Sequence, residues 1–224
     1  MQKYQTSESL RVGLLLALAG GILDSYSYLN RGQVFATAET GNLVLLGVNL
    51  AQGQWGQALH YLLPILAFAA GVLATELLRK GLGPGAGHLH WRQPVLLVEC
   101  AVLAAVSFLP QGRWDSLANV LISFTSAVQI ESFRKFHGCA CATTMCTGNL
   151  RSGTEQLFRL LTGRDSQSAP KVLLYYGLIL AFVAGAVLSG LCSPLLKGRG
   201  VLLACLPLLA AFALMFREER TARD

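Results

Sequence analysis

The chain has 224 residues, 53% of them hydrophobic and 13% charged, with a formal net charge of +6. Water-soluble domains carry about 25% charged residues, so this composition excludes a largely solvent-facing surface. The 18 Lys and Arg residues sit in short groups between apolar runs and are not interleaved with aromatics. That excludes a nucleic-acid-binding face and matches the loops of a membrane protein.

A bilayer core of about 30 Å needs roughly 20 helical residues to cross it. The first apolar stretch, 10–29, follows Lys3 and Arg11 and contains Ala17-Leu18-Ala19, which mimics a secretory leader and its cleavage site. The stretch continues to Leu29, and its end takes part in the repeat described below, which predicts that it is retained. Next comes 33–52, of ambiguous type, with Thr40-Gly41-Asn42 inside it. Spans are predicted at 58–78, 94–110 and 115–133. A second ambiguous stretch, 139–162, holds Thr147-Gly148-Asn149, and the last two spans are 171–193 and 200–216. Cys100, Cys192 and Cys205 fall inside apolar runs and read as small hydrophobes.

Sliding the chain by 107 positions reveals a duplication. Asp24-Ser25-Tyr26 falls on Glu131-Ser132-Phe133, Thr37 on Thr144, and Thr40-Gly41-Asn42-Leu43 on Thr147-Gly148-Asn149-Leu150, without a gap. With seven more residues inserted, near 163–170, Phe68-Ala69-Ala70-Gly71 falls on Phe182-Val183-Ala184-Gly185. The chain thus reads as one membrane domain, 1–224, with repeats at about 10–110 and 115–217.

Charge decides what the two ambiguous stretches do. If both cross the membrane, giving eight crossings, the two sides hold nine and eight Lys/Arg and Arg151 is stranded within a span. If neither makes a net crossing, fourteen basic residues lie on the side of the termini. Only Arg31, Arg113, Lys197 and Arg199 remain opposite. The second arrangement obeys the positive-inside rule with both termini cytoplasmic. The fold class predicted is therefore an all-α polytopic bundle of two inverted repeats. Each repeat has three net crossings plus one broken or re-entrant Thr-Gly-Asn helix. Such repeats recur in transporters, with the site near the pseudo-two-fold axis.

Gly41 and Gly148 permit φ > 0 or close backbone approach. Thr and Asn are good N-cap residues. Each motif is therefore expected to break the chain and begin a half-helix whose positive end faces a protected site. Thr40, Gly41, Asn42, Thr147, Gly148 and Asn149 are the predicted substrate-binding residues. Asp24 and Glu131 are repeat equivalents, each followed by Ser, and are the candidates for proton or cation coupling. Their alternative is an interfacial position, with Arg31 and Arg134 nearby. Glu76 and Glu99 read as interfacial acids or partners of Arg79 or Arg92. His137-Gly138-Cys139-Ala140-Cys141, with Cys146 beyond, fits no zinc-module spacing. No metal site, cofactor or catalytic residue is predicted. Arg151, Glu155 and Arg159 recur every four residues on an amphipathic helix, read as a solvated face at the cytoplasmic surface. Hydrolase, kinase and dinucleotide signatures are absent from the sequence.

Asp24, the aromatic-rich helix end, Val34-Phe35 and Thr40-Gly41-Asn42 resemble the first-half signature of the YoaK family. Gln129 and Thr143-Thr144-Met145-Cys146-Thr147-Gly148 resemble its second half. The resemblance covers about residues 10–215 and implies a multi-pass protein of the bacterial inner membrane, and it supplies no substrate. Asn149 departs from the Thr expected there in the family, and Cys139 and Cys141 are peculiar to this chain.

The function expected is a small-solute transporter or channel with a site between the two turns. Its partners are the lipid bilayer and an unidentified small solute, with room for a homo-oligomer. An enzyme acting on lipid or quinone needs a nucleophile–base pair that no helical spacing supplies. A scaffold protein would show an apolar groove and no polar central cavity.

Overall fold

The computed structural model describes residues 6–82, 92–163 and 168–221. Lys3, His88, His90, Arg164, Arg223 and part of the loop between Gly163 and Pro170 lie outside the described residues. The helices are α1 (Leu10–Asn30), α2 (Glu39–Ala51), α3 (Trp55–Leu82), α4 (Arg92–Val106) and α5 (Asp115–Ser132). After a hairpin come α6 (Cys146–Leu161), α7 (Ser168–Leu196), a 3-10 stretch (Lys197–Ala204) and α8 (Cys205–Thr221).

Among the described residues the regular structure is helical apart from β1 (Lys135–Phe136) and β2 (Cys139–Ala140), an antiparallel pair that the sequence does not announce. His137 and Gly138 both take positive φ, 49° and 74°, as a two-residue type I′ turn requires. The hairpin closes the start of α1. The His137 N–H donates to Glu8 O (2.8 Å), and the Leu10 N–H donates to His137 Nε2 (3.2 Å). Ser9 adds its Oγ as acceptor for the Val12 N–H. The first N–H groups of a helix lack partners within it, and these contacts supply them.

Helices α1 and α7 form the central pair. Leu14 lies against Gly177, Gly21 against Phe182, and Asn30 Nδ2 donates to Ser193 Oγ at 3.0 Å, so the two run parallel. α3 and α5 form a second parallel pair, from His60 beside Ser116, through Gly71 against Phe124, to Arg79 on Glu131. This pair runs opposite to the first, because α5 begins where α1 ends, at the Arg31–Asp115 ion pair. α2 packs on α3 and α6 on α7, while α4 and α8 touch each other and pack on α5 and α1 respectively.

Small residues make these contacts close. A Cβ on Gly21 would lie 1.9 Å from Phe182 O, and one on Gly185 2.1 Å from Leu18 O. Close backbone approach of this kind is how helices associate where lipid removes the hydrophobic drive. Leu16, Ile22, Tyr26, Leu96, Leu103 and Leu178 fill the interior. Outward, α3 exposes Leu59, Leu66 and Leu73, and α7 exposes Leu173, Leu180 and Leu191. A contiguous apolar exterior of this kind suits lipid and not water.

Among the described residues, three helical stretches are long and apolar enough to cross a membrane: Leu10–Asn30, Trp55–Gly81 and Ser168–Met215. Two further sequence-predicted spans differ in kind. The 94–110 span becomes α4, which has 15 residues and is about 22 Å long. The 115–133 span becomes α5, whose buried face carries Asn119, Ser123, Thr125, Ser126 and Gln129.

Arg31, which reads in sequence as a loop cation, is fully buried. Its guanidinium donates to Tyr26 Oη (2.7 Å), Asp115 Oδ1 (3.1 Å) and the carbonyls of Val106 (3.2 Å), Leu109 (2.9 Å) and Pro110 (3.2 Å). All five N–H donors of the fork are thereby used. The cation also closes the C-terminal end of α4, where unpaired carbonyls favour positive charge.

Candidate functional site

Both Thr-Gly-Asn motifs stand at helix starts, after the non-helical segments 31–38 and 133–145. The capping positions are Ala38 and Met145, and neither makes a side-chain cap bond. The expectation that Thr or Asn is the N-cap is corrected accordingly: the motif lies just inside the first turn. Gly41 and Gly148 are helical and not among the glycines of positive φ. A Cβ on Gly41 would meet the Phe35 ring at 2.6 Å, whereas one on Gly148 would meet nothing within 4 Å.

The two asparagines clasp the incoming chain. Asn42 Nδ2 donates to Phe35 O (2.6 Å) and Glu39 Oε2 (2.7 Å), and its Oδ1 accepts from the Phe35 N–H (3.0 Å). Asn149 Nδ2 donates to Ala142 O at 2.7 Å, again seven residues back. The amide acts as a substitute peptide group. It holds the extended segment against the helix and leaves Thr and Gly to face outward from the turn. Asn42→Ala is expected to cost about 2 kcal/mol and Asn149→Ala about 1, because the first loses more bonds. Thermal unfolding of the two variants in detergent checks the order.

Between the turns lies a cavity of about 670 Å³, walled by Thr40 and Gly41, by Thr147 and Gly148, and by Phe68 and Phe182. Thr37 and Thr144 meet at its floor, where Thr144 Oγ1 donates to Thr37 O at 3.4 Å. Asp24 lines the cavity, is 4% exposed, and accepts from the Thr37 N–H at 2.7 Å. Glu39 is a second lining carboxyl, bonded to Asn42 and, through Oε1, to Ser123 Oγ at 3.3 Å. The exposed lining residues are apolar at Leu29 (54%), Leu43 (54%) and Met145 (64%) and carry hydroxyls at Thr40 and Thr147.

Of the eight residues singled out in sequence, the cavity gathers Asp24, Thr40, Gly41, Thr147 and Gly148. Asn42 and Asn149 are buried behind them. Glu131 lies elsewhere, paired with Arg79 (3.3 Å) and Arg134 (3.0 Å). The asymmetry has a local origin. Arg134 is three residues beyond Glu131, whereas the matching position beyond Asp24 is Ser27, whose hydroxyl donates to Asp24 O. Sequence reasoning did not place Glu39, Tyr28 or Phe35 at the site. Phe68 and Phe182 carried a signal, since they head the second aligned block.

A separate cavity of about 920 Å³ lies at the Arg31 end, walled by Gln54, Trp55, Gln57, His60 and Ser116. His60 bridges Gly32 O and Ser116 Oγ there, at 3.1 Å each. Cys139, Cys141 and Cys146 are free thiols. Burial pushes the Cys141 thiol up to about 12, which opposes the thiolate that a metal or a nucleophile needs.

An apolar-surfaced helical bundle with membrane-length helices and buried carboxyls inside defines an integral membrane protein. The chain belongs to the family described as Protein of unknown function (DUF1275), which matches residues 12–215. It is 28% identical over 189 residues to UPF0700 transmembrane protein YoaK of Bacillus subtilis (strain 168), covering 80% of this chain and 82% of that protein. The family resemblance read from the two motifs is thus shown. No solved structure matches the chain.

Proposed function

We propose that the protein is a small-solute transporter or channel of the bacterial inner membrane, with its site in the cavity between the two Thr-Gly-Asn turns. The observation that carries this reading is the composition of the cavity wall. Thr37 and Thr144, Thr40 and Thr147, Gly41 and Gly148, and Phe68 and Phe182 are all equivalent positions of the two halves. A surface built twice from the same positions is what a site on a pseudo-two-fold axis requires.

Helix pairing supports the inverted arrangement. Exchanging the halves turns α1–α7 into α5–α3, α2–α3 into α6–α7, and α4–α5 into α8–α1, and each of these contacts exists. The chain directions also reverse, since α1 and α5 are equivalents that run opposite ways. In this reading α2 and α6 are half-helices leaving the cavity floor toward opposite faces. Three net crossings per half and cytoplasmic termini follow from the fourteen-to-four division of basic residues. Asn42 and Asn149 shape the site by fixing the turns, and Thr40, Gly41, Thr147 and Gly148 offer hydroxyl and first-turn N–H groups to solute. Of the two acids assigned to coupling, Asp24 acts at the cavity. Glu131 acts from its arginine cluster on the α3–α5 pair.

A panel of amino acids, sugars, organic acids and amines screened by thermal shift, followed by flux into proteoliposomes, tests the reading. Gly148→Phe projects a ring into open space and is expected to abolish flux of any hit while the protein still folds. Undiminished flux through that variant would remove the cavity from the pathway. A second reading, an enzyme acting on a membrane-dissolved lipid or quinone, draws on the apolar rim and on Cys146 in the cavity wall near Asp24. Chemical conversion of a bilayer-resident probe, without net movement, would favour it.

A further inference from the structure

We propose that the central cavity accepts lipophilic organic cations, drawn in sideways from the bilayer; this rests on the cavity being the solute site. Two carboxyls, Asp24 and Glu39, face a space with no Lys, Arg or His in its described wall. Each helix N-terminus carries roughly half a positive charge. The ends of α2 and α6 therefore offset about one ionised carboxylate, and the second carboxyl is balanced either by its own proton or by a monovalent cation in the proton's place.

The walls specify what kind of cation. Tyr28 and Phe35 stack with ring centroids 5.0 Å apart, and Phe68 and Phe182 complete an aromatic lining. Aromatic faces attract cations that have shed their water. Calcium and magnesium take six or more oxygen ligands, retained waters included, and these mainly apolar walls favour a cation that brings an apolar skin in place of water. An ammonium or phosphonium centre under an apolar skin satisfies both features. The volume, about 670 Å³, falls within the range of drug-sized ligand sites.

The rim gives the route. Leu29, Leu43 and Met145 are exposed at the opening beside the hydroxyls of Thr40 and Thr147. A cation already partitioned into lipid therefore reaches Asp24 past apolar side chains and neutral hydroxyls, with no charged side chain of the described wall in its way. Both carboxyls come from the first half, since Cys146 replaces Glu39 in the second and Glu131 is held by arginines. The charged centre of the ligand therefore sits toward α1 and α2, with its apolar body against Phe182 and Met145.

Tetraphenylphosphonium and tetraphenylborate share a shape and differ in sign. With the full chain in lipid nanodiscs, equilibrium dialysis is expected to show saturable binding of the phosphonium and none of the borate. Asp24→Asn keeps the acceptor for the Thr37 N–H and is expected to weaken phosphonium binding about tenfold or more, the scale of one lost charge contact. Glu39→Gln is expected to weaken it as well and serves if the first variant fails to fold. Wild-type phosphonium affinity in both variants overturns the proposal. Borate binding that Gly148→Phe removes also overturns it, since the helix ends would then set the sign, but leaves the cavity as a solute site. Phosphonium binding untouched by Gly148→Phe takes both the proposal and the reading beneath it away.

Discussion

Arg31→Ala is expected to lower the unfolding free energy by about 3–5 kcal/mol, the scale for removing one partner of a buried, hydrogen-bonded ion pair. The loss has two parts. Asp115 keeps a carboxylate without its cation, and the carbonyls of Val106, Leu109 and Pro110 lose their donor at the end of α4. Asp115→Asn is expected to cost less, because the guanidinium retains Tyr26 and the three carbonyls. Denaturant titration of the purified protein in mixed micelles measures both. A change below about 1 kcal/mol for Arg31→Ala, the range of an exposed pair, would show that the cation is not holding α1, α4 and α5 together.

Gly21→Ala is expected to destabilise by about 1–3 kcal/mol through overpacking. Its Cβ would overlap Phe182 O, so α1 and α7 must separate. Gly185→Ala opens the same seam from the other side, with its Cβ 2.1 Å from Leu18 O. Once the helices have parted, the second methyl meets less resistance, so the double variant is expected to cost clearly less than the sum. Gly71→Ala on the α3–α5 seam, where the Cβ would lie 2.5 Å from Phe124 O, is expected to behave as an independent site. Thermal unfolding of the four variants decides between coupling and simple addition.

The outline of the candidate site was legible because its residue pattern recurs in the sequence at an offset of 107 positions. Thr37 and Thr144, 107 positions apart, touch each other in the fold, and the paired Thr-Gly-Asn segments do begin helices. The shape of those helix starts was less legible. Asn was read as a cap, yet its amide reaches back seven residues to a carbonyl. That contact depends on how the preceding segment folds, and no local propensity encodes it. The fate of the acids was hidden for a different reason. Arg79 reaches Glu131 from 52 residues away, so their difference in environment follows from the α3–α5 pairing. Arg31 was mistaken for a loop charge because a cation near the end of an apolar run looks the same in sequence whether it faces solvent or the last carbonyls of another helix. Pro110 and the preceding turn end α4 at Val106, earlier than the apolar run suggests, and so create those carbonyls.

The pairing of α1 with α7 has a consequence for how the chain is made. Roughly 160 residues separate the two sides of that seam, and at about 5–20 residues per second the second side is synthesised about ten to thirty seconds after the first. The hairpin that closes the start of α1, and the Asp115 that neutralises Arg31, are also still untranslated when α1 leaves the ribosome. The first helix must therefore wait with a buried-type cation unpartnered and with its opening N–H groups uncovered. Chains truncated before α5 should be the ones most readily captured by membrane quality-control proteases, and those extended past α7 the first to escape them.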